Sequence, residues 1–382
     1  MGENDFTVKI KTLTPLWTGG VEGRPDRLHD TGIIGSMRWW YEAIVRGLGG
    51  YACDPTSDKG CKLTGKEKSD KERKKNMCPV CYLFGCGGWK RRFRLYIEDA
   101  PTTALHFRTS INMNKNWINQ VFDGENKNIK NLKVFHGEIT FKFMLEKNDM
   151  DYIRSQLIML FSFIAKYGGL GAKLQHGFGQ IQILEPKSVN DDTLINKGLE
   201  ELSNKIQADE FYKGEKVNTP YNLGNFVCLD YDLQQSSLTK FMQERAHIGN
   251  HSKLQEKGYL PCAFDLRYKG SGNFGMRNWL ENTKKWKHRE INMLMGVSEK
   301  KGEKLTAKDR AASRICFGMP YKLGIDNYRL RIFGFTPPDI LKPNDLKTLC
   351  EEYMHYAFST DHYNLVCATL GSDIIKGLGG AQ

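Results

Sequence analysis

No apolar stretch in this sequence is long enough to cross a bilayer. The longest, Leu157 to Ala165, falls far short of the ~20 residues that a spanning helix needs. The opening MGENDFTVKIKTLTP lacks the basic start and apolar core of a secretion signal, so a soluble, cytoplasmic protein is expected. No Gly-Lys-Ser/Thr follows the densest glycine segment, which excludes a Walker A nucleotide site. That segment also comes after a helix and before a strand, the wrong setting for a dinucleotide fingerprint. There is no short-period repeat, which excludes a solenoid. Negative charge is in short supply too. The 56 Lys+Arg against 44 Asp+Glu leave a formal net charge of +12, and a surplus of that sign favours a polyanionic partner such as nucleic acid.

The 382 residues suggest two domains. Phe6, Val8 and Ile10 alternate with Thr7, Lys9 and Lys11, the pattern of a half-buried strand. Met37, Trp40, Tyr41, Ile44, Val45 and Leu48 then fall on one helical face, with Ser36 as N-cap and Gly47, Gly49 and Gly50 closing the helix. A Lys- and Cys-rich insertion, Cys53–Cys86, precedes a second strand, in which Phe93, Leu95 and Ile97 alternate with Arg92, Arg94 and Tyr96. Asn112–Asn131 reads as a loop, Glu138–Leu145 as a strand, Tyr152–Tyr167 as a buried helix stopped by Gly168-Gly169, and Phe178–Leu184 as a last strand. This is the β-α-β-β-α-β order of a ferredoxin-like (RRM-like) domain. The fold class expected is α+β, with two such domains. The first covers 1–187 and carries an insertion at about 51–88, 188–220 is a linker, and 221–382 forms the second. Ser188–Gln207 reads as linker from its polarity. In the second half, Cys262–Tyr268 and Tyr328–Phe335 read as strands, and Lys304–Phe317 and Asp345–Tyr356 as helices.

Four cysteines mark the insertion. Cys78-Pro-Val-Cys81 is a CxxC step, which lets two thiolates hold one Zn²⁺ from a tight turn, and Cys53 and Cys61 complete a four-thiolate set. Cys86 is close enough in sequence to replace one of them. A closed four-thiolate site has no open coordination position, so the zinc expected here is structural. No thioredoxin-like context supports a redox reading of the CxxC.

Three features suit RNA. Gly35, Ser36, Arg38 and Trp39 lie at the expected helix start, where free amides and the helix dipole favour a phosphate and Trp39 is placed to stack on a base or pack on a loop. The segment Gly168–Gly179 has five glycines in twelve residues. Gly169 and Gly171 permit close backbone approach, and Lys173, Gln175 and His176 offer donors. Arg92 and Arg94 are expected on the solvent face of the second strand.

Three motifs in order, GSMRWW, CPVCYLFG and GGLGAKLQHGFGQI, resemble the RAMP superfamily, the RRM-like CRISPR proteins that bind guide RNA. The stretch from TPLWTGG to GGYACDP is similar to the first-listed RAMP subunit of the Cmr module in type III-B complexes. The resemblance covers about the first half of the chain. It implies two ferredoxin-like domains and a non-cleaving antiviral subunit that holds the 3′ part of the crRNA. It also implies help in capturing target RNA and a place beside other Cmr RAMP subunits. Ser36, Arg38 and their glycines match the family's RNA-backbone motif, and Gly168–Gly179 matches its glycine-rich loop. The rival reading is a metal-dependent RNA endonuclease built on Asp26, His29 and Asp30. Arg24 and Arg27 in the same loop suit phosphate contact instead. A third reading is a protein-binding adaptor.

Overall fold

A computed structural model describes residues 5–20, 26–55, 57, 60–98, 100, 102–108, 123–126, 129–186, 192–215, 219–244, 258–260, 262–267, 274–297, 311–359 and 363–378; side chains of 102–133 are not described. It is a mixed α+β protein with antiparallel sheets. In chain order the first half runs β1 (Asp5–Thr12), α1 (Asp30–Gly47), α2 (Asp70–Lys75), α3 (Pro79–Phe84), β2 (Phe93–Ile97), β3 (Thr102–Arg108), β4 (Asp123–Asn126), β5 (Ile129–Phe135), β6 (Glu138–Leu145), α4 (Met150–Tyr167), β7 (Ile181–Glu185) and α5 (Asp192–Gln207). The main sheet has the order β2-β6-β1-β7, and β3, β5 and β4 form a separate sheet. Period-two patterning explains the main sheet. Val8 and Ile10 face Phe141 and Ile139 in register, and these four side chains are buried in one core together with α1 and α4.

The second half runs β8 (Phe226–Gln234), α6 (Gln235–Glu244), α7 (Ala263–Arg267), α8 (Met276–Asn282), α9 (His288–Met295), β9 (Ile315–Phe317), β10 (Tyr321–Lys322), β11 (Asn327–Phe335), α10 (Pro343–Phe358), β12 (Tyr363–Leu370) and α11 (Gly371–Gly377). Its sheet has the order β10-β11-β8-β12. Strand β9 pairs with β11 beside this path, and in both halves the first strand is central, β1 between β6 and β7 and β8 between β11 and β12. No helix among the described residues is long and apolar enough to cross a membrane.

Several elements differ from the sequence reading. Helix α1 begins at Asp30 rather than Ser36, with His29 at the N-cap. Ile33 and Met37 extend the buried stripe one turn back from Trp40 and Tyr41, and that burial outweighs the helix-weakening effect of Gly32 and Gly35. The Asn-rich stretch contains β4 and the start of β5, while 109–122 lie outside the described residues. The stretch read as linker holds α5. Its Ile195, Leu199 and Leu202 are buried, and the Gln156 amide of α4 donates to Gly198 O at 3.0 Å. A helix with a single apolar stripe looks polar on average, which hid it. Cys262–Tyr268 is helical over 263–267. The expected helix over Lys304–Phe317 ends in strand β9, and residues 301–310 lie outside the described set. Tyr328–Phe335 and Asp345–Tyr356 form β11 and α10 as read.

The two halves are joined by buried contacts. Arg331 on β11 grips Asp230 on β8 with two bonds, of 2.8 and 3.0 Å, and donates to Ala165 O at the end of α4 at 2.9 Å. Trp40 is 1% exposed and packs against Phe226, Phe333 and Phe335. Full burial of an aromatic this large contributes roughly 1.5–3 kcal/mol.

Candidate metal centre and nucleic-acid interface

The insertion folds back so that the Sγ atoms of Cys53, Cys61, Cys78 and Cys81 all lie within 4.8 Å of one another. Zinc–sulfur bonds of ~2.3 Å make a tetrahedron with edges of about 3.8 Å, so a single ion fits this set. Cys53, Cys78 and Cys81 are buried and Cys61 is half-buried. Cys78 caps the N-terminus of α3, its sulfur accepting from Cys81 N at 3.4 Å. The Cys61 sulfur accepts from Cys78 N at 3.3 Å. Such N–H···S bonds orient thiolate ligands. Hydrogen bonds from Cys61, Cys78 and Cys81 hold the Cys53 thiol far below its ordinary range, and the same contacts push those three up. Cys86 lies outside the set, its sulfur 3.8 Å from Gly87 O.

Arg38, expected on the RNA side, makes its contacts at this cluster. Its guanidinium donates to Cys81 Sγ at 3.4 Å, Gly85 O at 3.1 Å and Glu42 at 3.1 Å. A cation beside four thiolates offsets the negative charge that would remain after one Zn²⁺ is bound.

Ser36 and the glycine loop do meet. Gly171 N–H donates to Ser36 Oγ at 3.0 Å. Several of the groups expected to meet a phosphate are engaged within the protein. Ser36 sits inside α1, more than a turn from its N-terminus. The loop amides of Leu170, Ala172 and Gly179 donate to Gly179 O, Trp17 O and Pro15 O, each at 2.8 Å. The glycines serve tight packing instead. A Cβ on Gly168 would lie 2.3 Å from the Trp40 ring, whose indole N–H donates to Gly169 O at 2.9 Å. His176 is buried and stacks on Phe264 of the second half. Burial, with Arg267 and Lys173 nearby, lowers its pKa well below the usual imidazole value. That makes it part of the joint between the halves rather than an exposed donor.

What remains open is a cleft of about 240 Å³ between the halves, lined by Ser36, Trp39, Gly171, Lys173, Gln175 and, from the second half, Tyr221, Arg314 and Phe335. Trp39 meets Tyr221 and Phe335 edge-on, at 5.4 and 5.5 Å. The Lys173 ammonium lies 4.7 Å from the Trp17 ring, and burial lowers its pKa. Burial pushes the Tyr221 hydroxyl up, and Arg314 beside it opposes that. The sequence reading missed Arg314, Tyr221 and Phe335, because the second half carries no motif to single them out.

Other expected sites scatter. Arg92 is 4% exposed, donates to Asn148 O at 2.6 Å and lies 5.0 Å from the Trp89 ring. The alternation fails there because β2 begins one residue later, at Phe93. Arg94 is exposed, as is Tyr96 beyond it. Gly35 faces open space. Arg24 lies outside the described residues, and Arg27 and Asp30 are exposed. His29 Nε2 is 2.6 Å from Asp26 Oδ1, a hydrogen bond that lowers the Asp26 pKa. Among the described residues, no group of acidic and histidine side chains gathers around this pair to hold a metal.

Together these features define a basic α+β protein with the strand order of a ferredoxin-like sheet in its first half and a four-cysteine knuckle in its first crossover. Residues 9–182 match the family model described as the RAMP superfamily. No curated protein matches it. Among solved structures it is similar to Cmr1 from Pyrococcus furiosus in the apo form, at 11% identity over 87% of each chain, TM-score 0.38. It is also similar to a chain of a type III-B Cmr-beta complex bound to cognate target RNA, at 12% identity over 92% of this chain and 99% of that one, TM-score 0.44. A chain of a type IV-B CRISPR complex matches at 13% identity over 48% of this chain and 91% of that one, TM-score 0.31.

Proposed function

We propose that this chain is a non-catalytic, RNA-binding subunit of a type III-B (Cmr) RNA-guided effector complex. In this reading it has two ferredoxin-like domains, the first stapled by a structural Zn²⁺. It holds the 3′ part of the crRNA and helps capture target RNA beside other Cmr subunits. The observation that carries the reading is the inter-half cleft, where the RAMP-type glycine loop and α1 present Lys173 opposite Arg314. The RAMP superfamily match over residues 9–182 and the surplus of positive charge support it.

The test is RNA binding as a function of salt. Lys173→Ala with Arg314→Ala is expected to weaken binding about equally for unrelated sequences, because phosphate contacts carry no sequence information. The salt slope should flatten by roughly 0.7 for each phosphate of a single strand that is no longer neutralised. An unchanged slope in a folded variant places the RNA elsewhere, with the Arg94 sheet face next to be tried.

The Asp26–His29 pair keeps a nuclease reading in play, since a histidine held by a carboxylate suits proton transfer from a 2′-hydroxyl. Asp26→Asn in a reconstituted complex is expected to leave the number and positions of target cuts unchanged. Loss of one specific cut would favour the nuclease.

A further inference from the structure

The cleft between the halves differs in kind from an electrostatic groove. Phosphate contact needs only cations on a surface. This cleft also has an aromatic wall made by Trp39, Tyr221 and Phe335, and cations only at Lys173 and Arg314. The Trp39 ring is half-buried, while the indole next to it, Trp40, is closed in the core. Gln175 lines the same space, and among the described residues its side-chain amide has no hydrogen-bond partner. An amide offers a donor and an acceptor side by side, which matches the edge of a nucleobase. Apolar ring, paired polar edge and flanking cation are the three chemistries by which unstacked bases of single-stranded RNA are held.

We propose that the cleft takes one everted nucleobase of a bound single strand. The base lies against the half-buried rings of Trp39 and Tyr221, which Phe335, 1% exposed, backs from beneath, with its edge toward Gln175, and the adjoining phosphate is held by Lys173 and Arg314. This rests on the RNA-binding reading and adds a single-nucleotide anchor to it. The strand is thereby pinned at one point between the halves, while its other contacts remain with the backbone.

The experiment compares the full chain's affinity for a uridine oligoribonucleotide and for an abasic oligomer of the same length, with ultraviolet crosslinking of the former. Stacking of one base predicts about tenfold tighter binding of the uridine oligomer. Crosslinks are expected on peptides containing Trp39 or Tyr221. Gln175→Ala and Trp39→Ala should each shrink the difference between the two oligomers while leaving abasic binding unchanged. Gln175→Ala removes no packed ring, so it reports even where Trp39→Ala fails to fold. Equal affinity for the two oligomers would overturn the anchor and leave RNA binding standing. Base dependence that disappears in Tyr96→Ala instead would move the base to the open sheet face and also overturn it. No binding of either oligomer would overturn the RNA-binding reading itself.

Discussion

Replacing Cys78 and Cys81 by serine is expected to release about one zinc ion per chain and to open the 53–86 segment to protease. Metal analysis of chelator-free protein and limited proteolysis give the two readouts. The effect should be large because the outer part of the insertion is otherwise held mainly by polar contacts, such as Lys74 to Asp149 and Tyr212 N–H to Lys74 O. Helix α2 buries none of its side chains, and a six-residue helix is far below the length that is stable alone in water. Structural zinc sites contribute on the order of 10 kcal/mol of binding free energy at neutral pH. Arg38 sharpens the test. Because it faces Cys81 rather than the cleft, Arg38→Ala should weaken zinc retention and leave the salt slope of RNA binding as it was. Freshly purified protein with no zinc would sink the metal site, and an RNA defect in Arg38→Ala with zinc intact would return that arginine to the RNA side.

Gly179→Ala is expected to destabilise the chain by about 3 kcal/mol or more, read from denaturant unfolding. Gly179 has φ +83, and a Cβ there would sit 2.0 Å from Leu170 O. Both are backbone constraints that no rotamer relieves. Gly49 provides the comparison, since it shares φ +83 but has nothing within 4 Å of its missing Cβ. Gly49→Ala should therefore cost only the left-handed conformation, about 1–2 kcal/mol. Equal costs at the two positions would show that the loop has room to give and that its glycines are not there for packing.

Much of the first half was legible because its patterns are strict. Period-two alternation located β1, β2 and β6 and helical spacing located α1 and α4, so the strand–helix order could be read directly. The cysteine set was legible for a related reason: a CxxC step and two further thiols in a segment with little apolar content have few other uses. Legibility failed where one residue type serves two purposes. Glycines next to a helix read as a phosphate loop, yet here their missing side chains let Trp40, Trp17 O and Leu170 O come close. Arg38 and Arg92 read as exposed cations, yet one donates to a cysteine sulfur and the other lies over an indole. Average polarity hid α5, whose buried stripe needs α4 to be recognised. Arg314 was invisible because its role depends on where two distant segments meet, and one sequence carries no record of that meeting.

The Arg331–Asp230 pair and its bond to Ala165 O have a further consequence for how a ligand enters. The ion pair itself locks β8 to β11 within the second half, and breaking such a buried, doubly bonded pair is strongly destabilising. Because the same guanidinium holds Ala165 O and Trp40 packs on Phe226, Phe333 and Phe335, the halves are held like the fixed jaws of a gauge rather than the arms of a clamp. The spacing of the backbone segments that carry Lys173 and Arg314 would then be set before any strand arrives. Little ordering of the protein remains to oppose association, and the flexible partner must do the adjusting. Discrimination at this place would come from thickness: whatever is too bulky for a rigid slot, a paired base among them, is turned away without a moving part.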